Sequence, residues 1–259
     1  MQQSAQVVPI RTRESTCLEC AFRGQCLARP DDGGPAPACD EINVAHRILH
    51  RGDHLFRTTE SFQNIYMVRS GAIKTYVILQ SGEEQVIGFH TPGDVVGLDA
   101  IDSGRYICNA MVLDTSCICT LPFEQLCRLS GQSAVIQSRL MHRFSRKIVD
   151  HEALLLILGQ KTAQQRMAAF LLHISKQQRQ LGLSAVDIHL PMSRADIASY
   201  LALAVETVSR VLTRLQESGH LDVQRNQVRI LDEDALATLA EETLDDDPRK
   251  VRAAGSQGH

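Results

Sequence analysis

The spacing of apolar residues changes once along this chain, and that change limits what it can fold into. From about 42 to 122 they come in short runs: HLF, IYMV, AIKTYVIL, EQVIGF, DVVGL, ICNAMVL and SCICTL. Turn-forming pairs such as Arg51-Gly52, Ser70-Gly71, Ser81-Gly82 and Pro92-Gly93 set them apart. Runs this short and this evenly spaced predict an antiparallel barrel or jelly roll. From about 131 to 158 the period lengthens. Met141, Phe144, Ile148, His151, Leu155 and Leu158 step by three and four, the spacing of a coiled-coil seam. So long a helix exceeds what packing on its own core requires, so the stretch predicts a seam between two copies, with His151 its one polar member.

No purely apolar run exceeds six residues, whereas a membrane-spanning helix needs about 20. The opening MQQSAQVVPIRTR has no apolar stretch of signal-peptide length. A cytoplasmic protein without a membrane partner is the expectation.

The third part of the chain is helical and then strand-like. Gln160–Lys176 reads as one helix. Ser193–Leu201 and Val205–Ser218 read as a pair joined by a short turn, with Ser193 and Asp196 at capping-box spacing and Gly219 suited to a helix end. HLDVQRNQVRIL then reads as two strands around Arg225-Asn226, a wing. Charge is polarised. Residues 160–231 hold nine Lys and Arg against five Asp and Glu, a net of +4, in a chain whose total is -3. That pattern excludes a uniformly basic binder and places a basic module at the C-terminal end. On the second helix of the pair Glu206, Ser209 and Arg210 share roughly one face. Arg can grip guanine O6 and N7, and Glu can accept from cytosine N4, so this helix predicts reading of double-stranded DNA.

Eight cysteines are many for a reducing compartment, and none lies beyond Cys127. Cys17-x2-Cys20-x5-Cys26 is the compact group. Thiolates in this spacing suit an iron–sulfur cluster, a structural zinc site or a mobile arm of free thiols, and a distant fourth ligand is needed for either metal. His46, His50 and His54 fall four apart, which on a helix could hold a metal, but Gly52 interrupts them. No Gly-x-Ser-x-Gly and no phosphate-binding Gly-x4-Gly-Lys-Ser/Thr occurs, and the chain carries no set that reads as an enzyme's.

Four motifs, CLECAFRGQC, GFHTPGDVVGLDAI, DTSCICTLPFEQL and SRADIASYLALAVETVSRVLTRLQESGHL, together resemble the FNR/CRP superfamily of bacterial transcription regulators over about residues 17–240. Within it the chain looks like the oxygen-sensing FNR branch. The resemblance implies an α+β fold with an N-terminal β-roll or jelly-roll sensor domain, a long dimerisation helix and a C-terminal winged helix-turn-helix. The boundaries expected are an arm and linker at 1–40, the β-roll at 41–130, the dimerisation helix at 131–158, the DNA-binding domain at 159–241 and a disordered tail at 242–259.

It also implies an oxygen-labile [4Fe-4S] cluster on Cys17, Cys20, Cys26 and Cys119, with Cys117 a weaker candidate two residues away. It implies TTGAT-type inverted repeats read by Glu206, Ser209 and Arg210. Val205, where cyclic-AMP-responsive relatives carry Arg, agrees with that preference. A homodimer and an RNA polymerase contact at Ser81–Gln85 complete the implied picture.

The chain departs from the pattern at four places. Ala202 takes a turn position where Gly is usual. Ala204 replaces the Ser or Thr that caps the reading helix. LDAIDSGRYICNA lacks the Arg-Ser/Thr-Ala that grips a cyclic phosphate, leaving Arg105 alone. His151 stands where an acid is usual, and a neutral imidazole repels its symmetry mate less than a carboxylate does. A regulator of this superfamily that senses a cyclic nucleotide or haem, with structural or zinc-binding cysteines, is the competing expectation.

Overall fold

The computed structural model describes residues 26–27 and 44–241. Cys17, Cys20, Cys39 and the tail from 242 lie outside the described residues. The chain divides into two compact units that meet at Val149 and Asp150.

The first unit is built on one antiparallel sheet. Its strands are β1 (Ala45–Leu49), β2 (His54–Phe56), β3 (Asn64–Ile78), β4 (Glu84–His90), β5 (Val95–Val96) and β6 (Asn109–Pro122). They pair in the order β1-β6-β3-β4, with β2 also on β6 and β5 on β3. The two long strands are buried on both faces, which is why their sequences read as apolar runs. Alternate residues point to opposite sides of a strand. Ile65, Met67, Cys119 and Leu121 join one core cluster, and Tyr66, Val68 and Ile118 join the other.

Two expectations are corrected here. Ser70-Gly71 does not end a strand, because β3 runs through it as fifteen residues. The pairing of β3 with β6 shifts register at Ser70 and again at Ala72, so the glycine makes a bulge, which also requires a positive φ; φ is 82° at Gly71. ICNAMVL and SCICTL are likewise parts of the single strand β6. Strand β1 escaped the sequence reading, since four of its five residues are exposed and it lies at the sheet edge.

Helix α1 (Phe123–Gln132) packs Leu126 and Leu129 into the first cluster. Ser133, extended at φ -130°, separates it from α2 (Ala134–Gln160). The second unit holds α3 (Ala163–Gln180), β7 (Asp187–His189), α4 (Arg194–Leu201), α5 (Val205–Glu217), β8 (Leu221–Gln224), β9 (Gln227–Ile230) and α6 (Glu233–Glu241). Gln160 does not open α3. Thr162 does, with a complete capping box to Gln165, because reciprocal bonds there satisfy two N-terminal amides. The wing forms as two strands around Arg225, and β7 adds a third on the far side of β9.

Candidate functional site

In the first unit the chemistry gathers around β6. Cys119 is buried on its inner face, two residues from half-buried Cys117. Strand β1 pairs so that His46 lies directly across from Cys119, and His46 Nδ1 is 3.3 Å from Cys119 Sγ. Cys26 packs against the same core cluster that contains Cys119, and its neighbour Leu27 is fully buried in it. The structure therefore brings together two of the four cysteines expected to bind metal. Cys17 and Cys20 are outside the described residues.

The donor chemistry fits a thiolate-bound metal group. Cys26 and Cys119 offer two soft sulfurs on one core cluster, and Arg139 lies beside Cys26. Arg139 donates from its guanidinium to the Cys26 carbonyl at 2.9 Å. Burial, with Arg146 and Arg139 nearby, lowers the pKa of Arg143, while the carboxylate of Asp94 and Cys26 as a thiolate push it back. The other described cysteines offer less. Burial and the adjacent Asp99 carboxylate push the Cys108 thiol up to about 12, so it stays protonated and inert.

The three histidines do not converge. His46 lies on β1, His50 in the following turn, and His54 on β2 within 3.1 Å of the Tyr76 hydroxyl. A strand–turn–strand path cannot give them the shared face that a helix would. Among the described residues no three His, Cys, Asp or Glu side chains form a metal-sized group. Arg105 points away from the barrel interior: it is exposed and donates to the Thr59 carbonyl at 2.9 Å. That interior is filled by aromatic rings, with Phe56 and Tyr106 stacked at 3.9 Å between centroids.

Along α2, Met141, Ile148 and Leu155 are 54, 58 and 70 % exposed. They are spaced by sevens, the heptad step. Val149 and Leu156, also exposed and seven apart, widen this stripe and were missed by reading only one seam. His151 is exposed, Leu158 is half-buried, and Phe144 leans inward against the core cluster of the first unit.

In the second unit, α5 is held by Val208, Val211, Leu212 and Leu215, all buried on one face. Each contributes about 1.5–3 kcal/mol on burial. Glu206, Ser209 and Arg210 are exposed on the other side. The side-chain hydrogen bonds of Ser209 and Arg210 stay within α5: Ser209 Oγ donates to the Val205 carbonyl and Arg210 to Thr207 Oγ1.

The expected capping box of Ser193 and Asp196 opens α4. Ala202 adopts the left-handed conformation at φ 51°, a strained choice for a residue with a Cβ. Ala204 caps α5 without any side-chain hydrogen bond. Ala204→Ser should therefore raise stability by about 1 kcal/mol, read as a later urea midpoint of the second unit at unchanged slope; no shift would mean that solvent already satisfies those amides.

Two residues that sequence reasoning did not single out set this geometry. Arg194 donates to the Arg225 carbonyl at 2.9 Å, tying the start of α4 to the tip of the wing. Arg166 reaches the carbonyls of Leu158, Lys161, Leu201 and Ala202. Arginines that cap distant carbonyls leave no local pattern to read.

Comparison with known proteins agrees with both units. Residues 46–133 match the family described as cyclic nucleotide-binding domain, and residues 165–239 match the Crp-like helix-turn-helix domain. Transcriptional activator protein FnrA of Stutzerimonas stutzeri is 41 % identical over 233 residues, covering 90 % of this chain and 96 % of that protein. Transcriptional activator protein anr of Pseudomonas aeruginosa is 40 % identical over 237 residues, covering 91 % and 97 %. The structure of FixK2 from Bradyrhizobium japonicum superposes with a TM-score of 0.70 at 29 % identity, over 77 % of this chain and 98 % of that one. The chain belongs to the CRP/FNR family of transcription regulators, on its FNR branch.

Proposed function

We propose that this protein is an oxygen-responsive transcription regulator in which a [4Fe-4S] cluster governs pairing of two chains on DNA. The observation that carries this reading is the convergence of Cys26 and Cys119 on one core cluster at the foot of α2, whose later turns bear an exposed apolar stripe. Cys17 and Cys20 complete the ligand set. Cys119, fixed in a central strand, is the rigid ligand, and Cys26 brings the arm to it. When bound, such a cluster supplies a thiolate-held link between arm and barrel that oxygen destroys.

Two chains pair along Met141, Phe144, Ile148, His151, Leu155 and Leu158, with Val149 and Leu156 in the same stripe. The paired reading helices then enter successive major grooves one helical turn apart. There Arg210 grips guanine, Glu206 accepts from cytosine and Ser209 supports them at TTGAT-type half-sites. The hairpin between β3 and β4 offers RNA polymerase a firm contact: Ser81–Glu84 is exposed, and Leu79 and Glu83 close the turn with a 2.9 Å backbone bond.

The test is an anaerobic purification followed by exposure to air. Visible absorption that bleaches in air is expected, and Cys119→Ser should lose both that colour and tight DNA binding. Colourless protein that cannot be loaded with iron and sulfide would overturn the reading and leave a regulator of another effector.

A further inference from the structure

Cys26 lies against α2 as well as against the core of the first unit. Arg139 donates to the Cys26 carbonyl at 2.9 Å. One turn on along the same face, Arg143 is half-buried; burial and the neighbouring Arg146 and Arg139 oppose its charge, which the Asp94 carboxylate and Cys26 as a thiolate favour. A further turn on, Lys147 also favours the Asp94 carboxylate electrostatically. Asp94 itself is pinned in its turn, accepting from the Thr91 amide at 2.7 Å and the Thr91 hydroxyl at 3.2 Å. Steps of four place Arg139, Arg143 and Lys147 on one side of the helix. Ile136 and Leu140, from the same helix, share a core cluster with Cys119.

A cluster held by four thiolates is a net anion, and an anion at a core edge is costly without nearby cations and hydrogen bonds. We propose that Arg139 and Arg143 are positioning residues for the cluster: Arg143 supplies the counter-charge at Cys26, and Arg139 ties the backbone of that ligand to the helix that carries the dimer seam. This rests on the cluster reading above. Loading the site sets the backbone at Cys26, and Arg139 passes that setting to α2. Without Arg139 the cluster can form, but the helix is no longer held by it. Without the charge of Arg143 the cluster is less firmly held.

The full chain would be loaded anaerobically with iron and sulfide, unmodified and as Arg139→Gln, Arg143→Gln, Arg143→Lys and the control Arg128→Gln. Arg128 is exposed on α1 and pairs only loosely with Glu124, at 3.7 Å. Visible absorbance per chain, its decay in air, sedimentation and circular dichroism are read for each. Arg143→Gln should bleach about tenfold faster, the low end of what outer-shell partners of a metal site contribute. Arg143→Lys should recover most of that loss. Arg139→Gln should load normally yet need about tenfold more protein to dimerise.

Glutamine variants within twofold of the unmodified chain in both readings would overturn the assignment. If Arg143→Gln does not fold, the lysine variant decides, because a tenfold loss with the charge kept would exclude the counter-charge role. An unmodified chain that takes no cluster overturns the proposed function itself. That failure shows before any variant is compared.

Discussion

Gly71→Ala should destabilise the first unit by about 4 kcal/mol or more, a size that point substitutions reach only through a named structural defect. A Cβ at this position would lie 2.1 Å from Ser116 Oγ, 2.6 Å from the Thr115 carbonyl oxygen and 2.7 Å from Ser116 Cα. Two of those three atoms are backbone of β6 and cannot turn aside. Ser116 Oγ is itself fixed: it accepts from the Ala72 amide at 3.1 Å and donates to the Asp114 carbonyl at 2.7 Å. The substituted residue would also keep a φ of 82°, costing about 1–2 kcal/mol.

Amide hydrogen exchange resolved along the chain is the suitable readout, since it reports each unit separately. Protection in β3 and β6 should fall by about three powers of ten, while α3 and α5 keep theirs. Pairing the change with Ser116→Ala should recover only part, because the backbone contacts remain. A loss below about tenfold, under about 1.4 kcal/mol, would show that the bulge opens to admit the methyl group at small cost.

The second large effect is expected at Arg166. Its guanidinium donates to the Lys161 carbonyl at 2.9 Å, to Leu201 at 3.0 Å and to Leu158 at 2.7 Å, with Ala202 at 3.4 Å. These carbonyls lie in the last turns of α2 and α4 or on the residue just after each, where helices leave acceptors without internal partners. One side chain thus closes two helix ends and holds the turn before α5. Bonds to a charged donor contribute about 1.5–3 kcal/mol each and do not add fully. Arg166→Ala should cost the second unit about 3–4 kcal/mol and lose DNA binding near physiological temperature. Arg166→Lys should recover little, since an ammonium lacks the planar fork that reaches several carbonyls at once. Both follow from urea unfolding read by exchange in α4 and α5; an alanine variant within 1 kcal/mol would mean that water replaces the guanidinium.

The sequence made some of this legible because the signals were local. Ser193 and Asp196 announced the start of α4, the wing followed from two strand patterns around Arg225, and the seven-residue step of Met141, Ile148 and Leu155 stood out by period alone. Other features failed for identifiable reasons. A Ser-Gly pair marks a turn and a bulge equally, because both need the same left-handed backbone, so β3 was cut in two. Thr162 and Gln165 carried a readable capping signal, but polar Gln160 and Lys161 suit a helix as well as a break, so the sequence places the start of α3 two residues early. His46 could not be matched with Cys119 without knowing that the polar segment Ala45–Leu49 pairs with β6. The proximity of Arg139 and Arg143 to Cys26 spans more than a hundred residues of chain and has no trace in local pattern.

The two faces of α5 divide its duties. Val208, Val211, Leu212 and Leu215 anchor the helix, while Glu206, Ser209 and Arg210 are exposed and the side-chain bonds of Ser209 and Arg210 stay within it. Exposed positions of that kind usually tolerate exchange within about 0.5 kcal/mol. On the proposed reading, in which these three side chains contact the bases, a duplicated copy of this protein could drift to a new operator by changing them, without first passing through an unstable ancestor. The address it reads and the fold that carries it are free to evolve at different rates.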